Sequence, residues 1–553
     1  ICLSFAALVV VGRLFAFQFN QGETFRELIT EVVPVVDLPE RGIIYDRNGA
    51  ILAVDRWDYR VAVSPSILSD PEELANSLAP ILQIPRGQLL SLMESSDPYV
   101  VLAPRVIAEV AEAIRALENG DEVQLDPLSH RFYPQDSLMC HVLGFVDYEN
   151  RGGAGVEGYY QQELRGQAAS GNVPISPLKE QTSVIAREGT DLVLTIDRHI
   201  QFVVEQHLKA AVAEYGAEGG SIIVMDPRTG AILAMAADPC YSPNEFYDLV
   251  PGQDYNSLVS APYEPGSVMK LITMAAALDS GTVKPETTYV DNGAIEVGGH
   301  ITYNWDRAAY GTMDMTGLLA HSLNVGAATI ATWMGPQTFY DYFQRFGFGK
   351  KSNIDILSED PGFMPLPSSE YWAEYSLATN AYGQGLSVTP IQMIAAASAL
   401  ANEGAIMQPY VVAEKHDANG THITVPREAS RPISPETAKI VTAMATVAVQ
   451  QEVQEALVEG YTVAGKTGTA QVAEPLVGYS LTDIIGSFIG WLPAEDPQMI
   501  VLVKIDKPTT EEWGSTTAAP TFSRLARELV VLMDIPPDQV RLQAELGAGN
   551  GGG

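Results

Sequence analysis

Hydrophobic and polar positions along the chain form two main patterns after an apolar start. Residues 1–19 are almost all apolar. Further on, apolar residues recur every three or four positions at 71–82, 107–117, 198–215 and 521–533, which predicts amphipathic helices. Short apolar runs bounded by Gly, Pro or Asn predict strands. The chain is therefore predicted to combine helices and strands behind an apolar N-terminal segment.

The apolar segment 1–19 predicts a membrane anchor, because a spanning helix needs about 20 such residues. The chain starts at Ile1 rather than Met, so we expect a helix whose cytoplasmic end is missing. A signal peptide is the alternative, but no small-residue cleavage site follows the segment. Arg13 is costly in lipid unless it snorkels or meets a partner helix. Residues 20–36 are polar, with a helical period.

Five strands are predicted in the second half of the chain. Segments 221–226 and 231–235 flank a Pro-Arg-Thr-Gly turn, which predicts an antiparallel hairpin. Three more strands are predicted around Lys466, at 484–491 and at 499–505. Helical segments occupy the long stretch between the hairpin and these later strands. A length of 553 residues predicts about two to four domains.

Composition and charge exclude several classes of function. The formal net charge is −35, so nucleic acid, which attracts basic patches, is not an expected partner. We interpret the acidity as a solvated outer surface. The eight His are scattered and no Cys/His cluster has the spacing of a metal site, so we expect neither metal nor cofactor. Cys140 and Cys240 fall in different predicted domains, and we expect no bridge between them.

Ser267 and Lys270 are the first candidates for catalysis. They stand at the start of a predicted helix whose run 271–278 is apolar nearly all round, as in a buried helix. Positions i and i+3 share a helix face, so the two side chains can touch. A serine hydroxyl needs a base, and a lysine can act as one when it is neutral. Burial and a like charge such as Lys466 would lower its pKa.

Two later motifs complete the candidate chemistry. Lys466-Thr467-Gly468 lies among small residues, which is typical of a strand that another backbone approaches closely, and an extended peptide could pair with it. Ser322 comes 55 residues after Ser267, and Asn324 follows two positions later. Alone, they would be interpreted as a helix cap and a surface Asn. Similar short motifs at 176–179 and 242–244 lack such contexts.

Together, the three motifs in this order resemble the class B penicillin-binding proteins, which are peptidoglycan D,D-transpeptidases. The resemblance implies that Ser267 is the nucleophile and Lys270 its base. It implies that Ser322 passes a proton to the leaving amine and that Asn324 orients Lys270. The remaining implied site residues, which hold the substrate carboxylate and support the oxyanion, are Lys466, Thr467, Gly468 and Thr469.

The same resemblance implies an α+β fold in four parts. A penicillin-recognising domain with a five-stranded antiparallel sheet flanked by helices is expected at 191–536. A mixed α/β pedestal is expected at 20–190, the single membrane anchor at 1–19 and a flexible tail at 537–553. Residues 153–158 form a G-x-G-x-x-G motif, but no βαβ unit or well-spaced acid accompanies it, so we interpret it as part of the pedestal.

The implied reaction is the cross-linking of peptidoglycan stem peptides through an acyl-enzyme on Ser267, with β-lactams as inhibitors. With Glu264 before Pro265-Gly266, the chain resembles the division-type members of the family. This resemblance implies that its partners are a polytopic glycan polymerase of the SEDS type and divisome proteins. The enzyme is expected in the cell membrane with its catalytic domain outside. The alternatives are an elongation-type transpeptidase, a D,D-carboxypeptidase or β-lactamase, and a β-lactam sensor or divisome scaffold without catalysis.

Three further segments receive structural or open interpretations. Residues 383–390 match a family loop that leads into a buried helix, and we interpret them as structural. Residues 486–490 are expected to be a core strand beside Lys466. Tyr303 and Trp305, just before the second motif, are equally compatible with lining the cleft and with packing in the core.

Overall fold

The structure is a computed structural model that describes Arg13 and residues 32–37, 39–167, 169–174, 187–474 and 478–549. Apart from Arg13, the predicted anchor at 1–19 lies outside these residues. In the described ranges, no helix has both the length and the apolar character needed to cross a membrane.

The first third of the chain forms the pedestal. Its strands are β1 (Val32–Asp37), β2 (Ile44–Tyr45), β3 (Ile51–Val63), β4 (Val100–Ile107), β5 (Val123–Phe132) and β6 (Ala169–Pro174). Its helices are α1 (Pro71–Leu82), α2 (Arg86–Met93), α3 (Ala108–Arg115), α4 (Cys140–Leu143), α5 (Gly155–Tyr159) and α6 (Gln161–Leu164). β1 and β6 pair antiparallel, so the helical interpretation of residues 20–36 is wrong from Val32 onward. Valine-rich segments favour strands.

Local sequence explains the ends of several pedestal elements. Asp70 caps α1 by accepting hydrogen bonds from the backbone N–H groups of Glu72 and Glu73, and Pro71 takes the first helical position. Between β2 and β3, Asp46 accepts from the backbone of Asn48 and Ala50. Gly49 in this turn has a φ of 82°, which suits a residue without a Cβ.

The pedestal sheet also contains strands from later in the chain. Its order is β16-β15-β7-β2-β3-β4, with β5 paired to β3, where β7 is Asp191–Leu194, β15 is Val412–Asp417 and β16 is Gly420–Ile423. β7 was predicted to begin the catalytic domain, but it pairs parallel with β2 and antiparallel with β15. The two domains are therefore joined through one shared sheet.

A buried ion cluster holds the pedestal segments together. The carboxylate of Glu157 in α5 binds Arg41 at 2.6 Å and Arg131 of β5 at 2.6 Å, and all three side chains are essentially inaccessible to solvent. Burial alone would raise the pKa of Glu157, but the two guanidinium groups outweigh it and hold the pKa low. Because Glu157 belongs to the G-x-G-x-x-G segment, that segment serves pedestal packing, as expected.

The second domain is built on a five-stranded antiparallel sheet. The sheet has the order β18-β19-β20-β8-β9. The strands are β8 (Gly219–Met225), β9 (Ile232–Asp238), β18 (Ala464–Glu474), β19 (Gly478–Leu492) and β20 (Met499–Asp506). All five were predicted from the sequence. β18 is an edge strand, so one side of it is free of sheet partners within the described residues.

Helices cover both faces of this sheet. On one face, α7 (Arg198–Tyr215) and α15 (Ala518–Leu532) share a core with Ile222 and Val224 of β8. On the other, the buried helix α9 (Met269–Asp279) shares a larger core with Ile223 and Met225 of the same strand. Adjacent strand residues point to opposite faces, so β8 contributes alternately to the two cores.

Several smaller elements complete the domain. The other helices are α8 (Ser257–Ser260), α10 (Met315–Ala320), α11 (Asn324–Arg345), α12 (Glu374–Ala381), α13 (Pro390–Ala401), α14 (Pro435–Glu452) and α16 (Asp538–Gly549). The other strands are β10 (Thr288–Asp291), β11 (Ala294–Val297), β12 (His300–Tyr303), β13 (Gly311–Asp314), β14 (Ile406–Met407) and β17 (Glu428–Ser430). The tail predicted to be flexible at 537–553 is thus helical from Asp538 to Gly549, and residues 550–553 lie outside the described ranges.

The expectation about the cysteines is also wrong. Cys140 and Cys240 form a disulfide, with their Cα atoms 6.2 Å apart, although 100 residues separate them in sequence. The two domains meet here, because Asn244 accepts a hydrogen bond from the backbone N–H of Tyr133 and donates one to its carbonyl. His141 lies beside both sulfur atoms, a grouping that sequence spacing did not reveal. Sulfur atoms in a disulfide are not thiolates, which are the form that binds metal.

The ion cluster yields the first prediction. Replacing Glu157 with Gln (Glu157→Gln) removes the carboxylate that the guanidinium groups of both Arg41 and Arg131 contact, and it leaves the buried guanidinium of Arg41 without its ion-pair partner. We expect a loss of about 3–5 kcal/mol in the free energy of unfolding, measured by thermal or denaturant unfolding. Glu149→Gln removes the partner of an exposed surface pair with Arg151 and should be nearly neutral. Equal effects of the two substitutions would contradict this account.

Candidate active site

Ser267 is held at the entrance to helix α9 by a tight turn. The 3₁₀ turn Gly266–Val268 runs directly into α9. Gly266 has a φ of 59°, and its N–H donates to the carbonyl of Gly383 at 3.0 Å. A Cβ at Gly266 would lie 2.7 Å from the carbonyl oxygen of Thr469, so only glycine fits. The turn that carries Ser267 therefore packs directly against strand β18.

Lys270 is buried and surrounded by oxygen atoms. The residue is 1% exposed. Its Nζ lies 3.0 Å from Ser267 Oγ, 2.7 Å from Asn324 Oδ1, 2.5 Å from the carbonyl oxygen of Ser322 and 3.2 Å from Ser322 Oγ. A neutral amine has two N–H donors and one lone pair. The Ser322 carbonyl and Asn324 Oδ1 can accept the two hydrogens, which leaves the lone pair for the Ser267 hydroxyl.

The electrostatics of the site favour this neutral amine. Burial lowers the pKa of Lys270 far below its ordinary value, and the nearby charge of Lys466 lowers it further. The cause predicted from the sequence, a like charge together with burial, is thus confirmed. Lys466 is itself 2% exposed, and its burial lowers its pKa to about 8, although Glu452 acts in the opposite direction. Lys466 therefore remains largely cationic near neutral pH while Lys270 is poised to accept a proton.

The second motif contacts Lys270 through both Ser322 and Asn324. Ser322 joins α10 to α11 with a φ of 57°, a conformation that costs energy for a residue with a side chain. Asn324 is the first residue of α11, and its amide also donates to the carbonyl of Tyr303 at 3.1 Å. Leu323 occupies the N-cap position and makes no side-chain cap. The interpretation of this motif as a helix cap and a surface Asn is therefore wrong.

The third motif forms the cleft side of edge strand β18. Thr467 and Thr469 are partly exposed and share one face of the strand, while Gly468 between them is buried. A Cβ at Gly468 would lie 2.4 Å from Ser487 Oγ and 2.8 Å from the carbonyl oxygen of Pro265, so the close approach to the Ser267 turn requires glycine. Thr469 Oγ1 accepts a hydrogen bond from the N–H of Gly514 at 3.1 Å.

This arrangement has the parts needed for acyl transfer. The hydroxyl of Ser267 lies in contact with the amine of Lys270, as a nucleophile and its base require, and its position at the start of a helix would favour a developing negative charge. Lys466, with the Thr467 hydroxyl 3.3 Å from its Nζ, offers a site for a carboxylate at one end of the cleft. The structure thus brings all eight sequence-predicted residues together around Ser267.

The remaining sequence candidates lie in different surroundings in the structure. Tyr303 and Trp305 are 46% and 57% exposed, so the core interpretation is wrong, and Trp305 instead meets Trp513 edge-to-face at 5.4 Å. Asn244, in the similar short motif at 242–244, contacts the pedestal backbone. Residues 176–179 lie outside the described ranges. The sequence did not predict that Trp513 lies beside Trp305, because no local pattern indicates a contact between residues so far apart in the chain.

Comparison with known proteins identifies the family. Residues 220–527 match the penicillin binding protein transpeptidase domain, and residues 36–194 match the penicillin-binding protein dimerisation domain. The chain belongs to the penicillin-binding protein transpeptidase family. This confirms the resemblance inferred from the motifs, and it confirms a transpeptidase domain preceded by a mixed α/β pedestal.

Individual relatives align over nearly the whole chain. Stage V sporulation protein D of Bacillus subtilis is 33% identical over 559 residues, covering 97% of this chain and 85% of the relative. Peptidoglycan D,D-transpeptidase FtsI of Escherichia coli is 30% identical over 519 residues, covering 90% of this chain and 84% of the relative. The crystal structure of penicillin binding protein 3 from Mycobacterium tuberculosis, complexed with aztreonam, has a TM-score of 0.71 at 27% identity and covers 91% of this chain and 98% of that one.

The two lysine pKa values yield a pH prediction. Acylation of Ser267 needs neutral Lys270, so the rate should rise with pH through the lowered pKa of that amine. Carboxylate binding needs protonated Lys466, so the rate should fall as pH rises through about 8. We expect a bell-shaped profile for the second-order rate constant of acylation by a fluorescent penicillin. Lys466→Arg keeps its charge at high pH and should remove the falling limb, and a flat wild-type profile would contradict the assignment.

Proposed function

We propose that the protein is a serine-type peptidoglycan D,D-transpeptidase. In the first step, Ser267 Oγ attacks the penultimate D-Ala carbonyl of a donor stem while Lys270 takes the hydroxyl proton. The bond to the terminal D-Ala breaks, and Ser322 passes a proton to the departing amine. An amine of a second stem then attacks the ester, releases Ser267 and forms the cross-link.

The contact between Lys270 and Ser267 is the observation that carries this proposal. A 3.0 Å separation, together with the burial and the neighbouring cation that lower the pKa of Lys270, gives a base in reach of its nucleophile. The backbone N–H groups of Ser267 and Thr469 would support the oxyanion. β-Lactams carry a carboxylate and a reactive carbonyl in a similar arrangement, and the relative from Mycobacterium tuberculosis was crystallised with aztreonam and with ampicillin.

The cellular role is proposed to be septal. The similarity to FtsI of Escherichia coli and to penicillin-binding protein PbpB of Mycobacterium tuberculosis, 30% identical over 589 residues, supports a division-type enzyme. A polytopic glycan polymerase of the SEDS type and divisome proteins would be its partners. The apolar segment 1–19 would anchor it in the cell membrane, with the pedestal and the catalytic domain outside the cytoplasm. The similarity to a stage V sporulation protein favours sporulation as the second candidate.

Labelling by a fluorescent penicillin tests the nucleophile. Ser267→Ala should abolish covalent labelling, whereas Ser242→Ala, which alters a serine of the pedestal junction, should label as the wild type does. Incubation of the wild type with donor and acceptor stems should yield cross-linked dimer. Label on Ser267→Ala would refute the assignment, and free tetrapeptide without dimer would favour a D,D-carboxypeptidase.

Lys466→Ala tests the carboxylate site. The substitution removes a charged hydrogen-bond donor and also the like charge that helps to keep Lys270 neutral. A charged hydrogen bond contributes about 1.5–3 kcal/mol, so acylation should slow by roughly 10- to 150-fold at neutral pH. The measurement is the acylation rate constant at several pH values. An unchanged rate would remove Lys466 from the carboxylate site.

A further inference from the structure

Glu264 lies three residues before Ser267 and makes contacts that the proposed mechanism does not use. Its Oε1 accepts a hydrogen bond from the N–H of Gly385 at 3.0 Å and another from the hydroxyl of Tyr479 at 3.0 Å. Its Oε2 is buried, and the described part of the chain offers it no hydrogen-bond partner. An unmet buried oxygen is costly and calls for an explanation. Burial also raises the pKa of this carboxyl group.

The carboxylate connects three segments around the cleft. Gly385 belongs to the same loop as Gly383, whose carbonyl accepts from the N–H of Gly266 beside the nucleophile. Tyr479 lies on β19, opposite Ala473 at the far end of the β18–β19 pairing. Glu264 thus links the turn that carries Ser267, the loop before α13 and the far end of the β18–β19 hairpin.

The direction of a bound stem places its remaining residues beside that hairpin. Under the proposed function, the terminal carboxylate lies at Lys466 and Thr467, and the reacting carbonyl lies between Ser267 and Thr469. A stem bound in this way runs antiparallel to β18. The residues that precede D-Ala-D-Ala therefore lie beside Ala470 and the positions after it, which advance by about 3.4 Å each. This is the part of β18 that Tyr479 and Glu264 hold in place.

We propose that Glu264 is a positioning residue for the portion of the donor stem that precedes D-Ala-D-Ala. It acts through Gly385 and Tyr479, which fix the hairpin beside the groove, and it does not touch the reacting atoms. The inference rests on the proposed function, because that function sets the direction of the stem. Loss of the contact should weaken recognition of groups attached beyond the reacting unit and leave the chemistry at Ser267 intact.

Two β-lactams separate these effects. 6-Aminopenicillanic acid carries the reacting ring, the carboxylate and a free 6-amino group, whereas benzylpenicillin carries an acyl side chain on that amine, where the preceding stem residue would lie. With the full chain, Glu264→Ala should slow acylation by benzylpenicillin about tenfold or more, since both hydrogen bonds that fix the hairpin are lost. Acylation by 6-aminopenicillanic acid should change by less than about threefold, which is under 0.7 kcal/mol.

Matched variants isolate the contact. Tyr479→Phe removes only the hydroxyl of a side chain that is 40% exposed and should shift the ratio of the two rates in the same direction by a smaller factor. Glu264→Gln keeps an acceptor oxygen and should restore most of the benzylpenicillin preference. Tyr371→Phe is the control, because among the described residues the hydroxyl of this exposed tyrosine has no hydrogen-bond partner. It should change neither rate.

The outcomes are distinct. A wild-type ratio of rates in both Glu264→Ala and Tyr479→Phe, or equal loss for both ligands, would overturn the proposal. If Glu264→Ala does not fold, as judged by thermal unfolding, Tyr479→Phe decides, because it removes a single hydroxyl from a partly exposed residue. The Ser267→Ala labelling experiment is independent. If Ser267→Ala loses its label while Glu264→Ala and Tyr479→Phe keep the wild-type ratio of acylation rates, the proposed function stands and the positioning role alone is refuted.

Discussion

The uncharged state of one buried amine is the constraint on which this site depends. Among the described residues, no carboxylate compensates the charge of Lys270, and the only charged group that affects its pKa is another lysine. A buried ammonium without a counter-ion would be strongly unfavourable. The fold therefore favours the neutral amine, which under the proposed mechanism accepts the proton of Ser267. The same burial that would destabilise a charge produces the chemical reactivity.

That constraint determines much of the surrounding structure. α9 is buried along nearly its whole length, which excludes water from Lys270. The positive φ of Ser322 turns its carbonyl toward the amine and brings Asn324 to the start of α11. Because Gly266 and Gly468 have no side chain, the Ser267 turn and β18 can lie closer together than a Cβ at either position would allow. The strained serine and the two glycines all serve one requirement, a dry and crowded contact around the amine.

Sequence predicted the parts of this fold that depend on local spacing. The helices at 71–82 and 198–215 and the five strands of the catalytic sheet were predicted correctly, and Ser267 and Lys270 could be paired because i and i+3 share a helix face. Contacts made across the chain were not predictable. The Cys140–Cys240 bridge joins two domains, and strand β7 extends the pedestal sheet. The role of Glu264 depends on Tyr479, which lies more than 200 residues away in sequence.

Under the proposed function, a strongly acidic protein must bind a carboxylate, an electrostatic problem that the burial of Lys466 would resolve. With a net charge of −35, the surface repels an anionic stem at long range. At physiological ionic strength this repulsion is screened beyond about 8 Å. Lys466 is 2% exposed, and its charge acts at contact and across a poorly polarisable interior, where screening is weak. Recognition therefore depends on short-range contacts in the cleft rather than on steering by the whole protein, and the same buried charge lowers the pKa of Lys270.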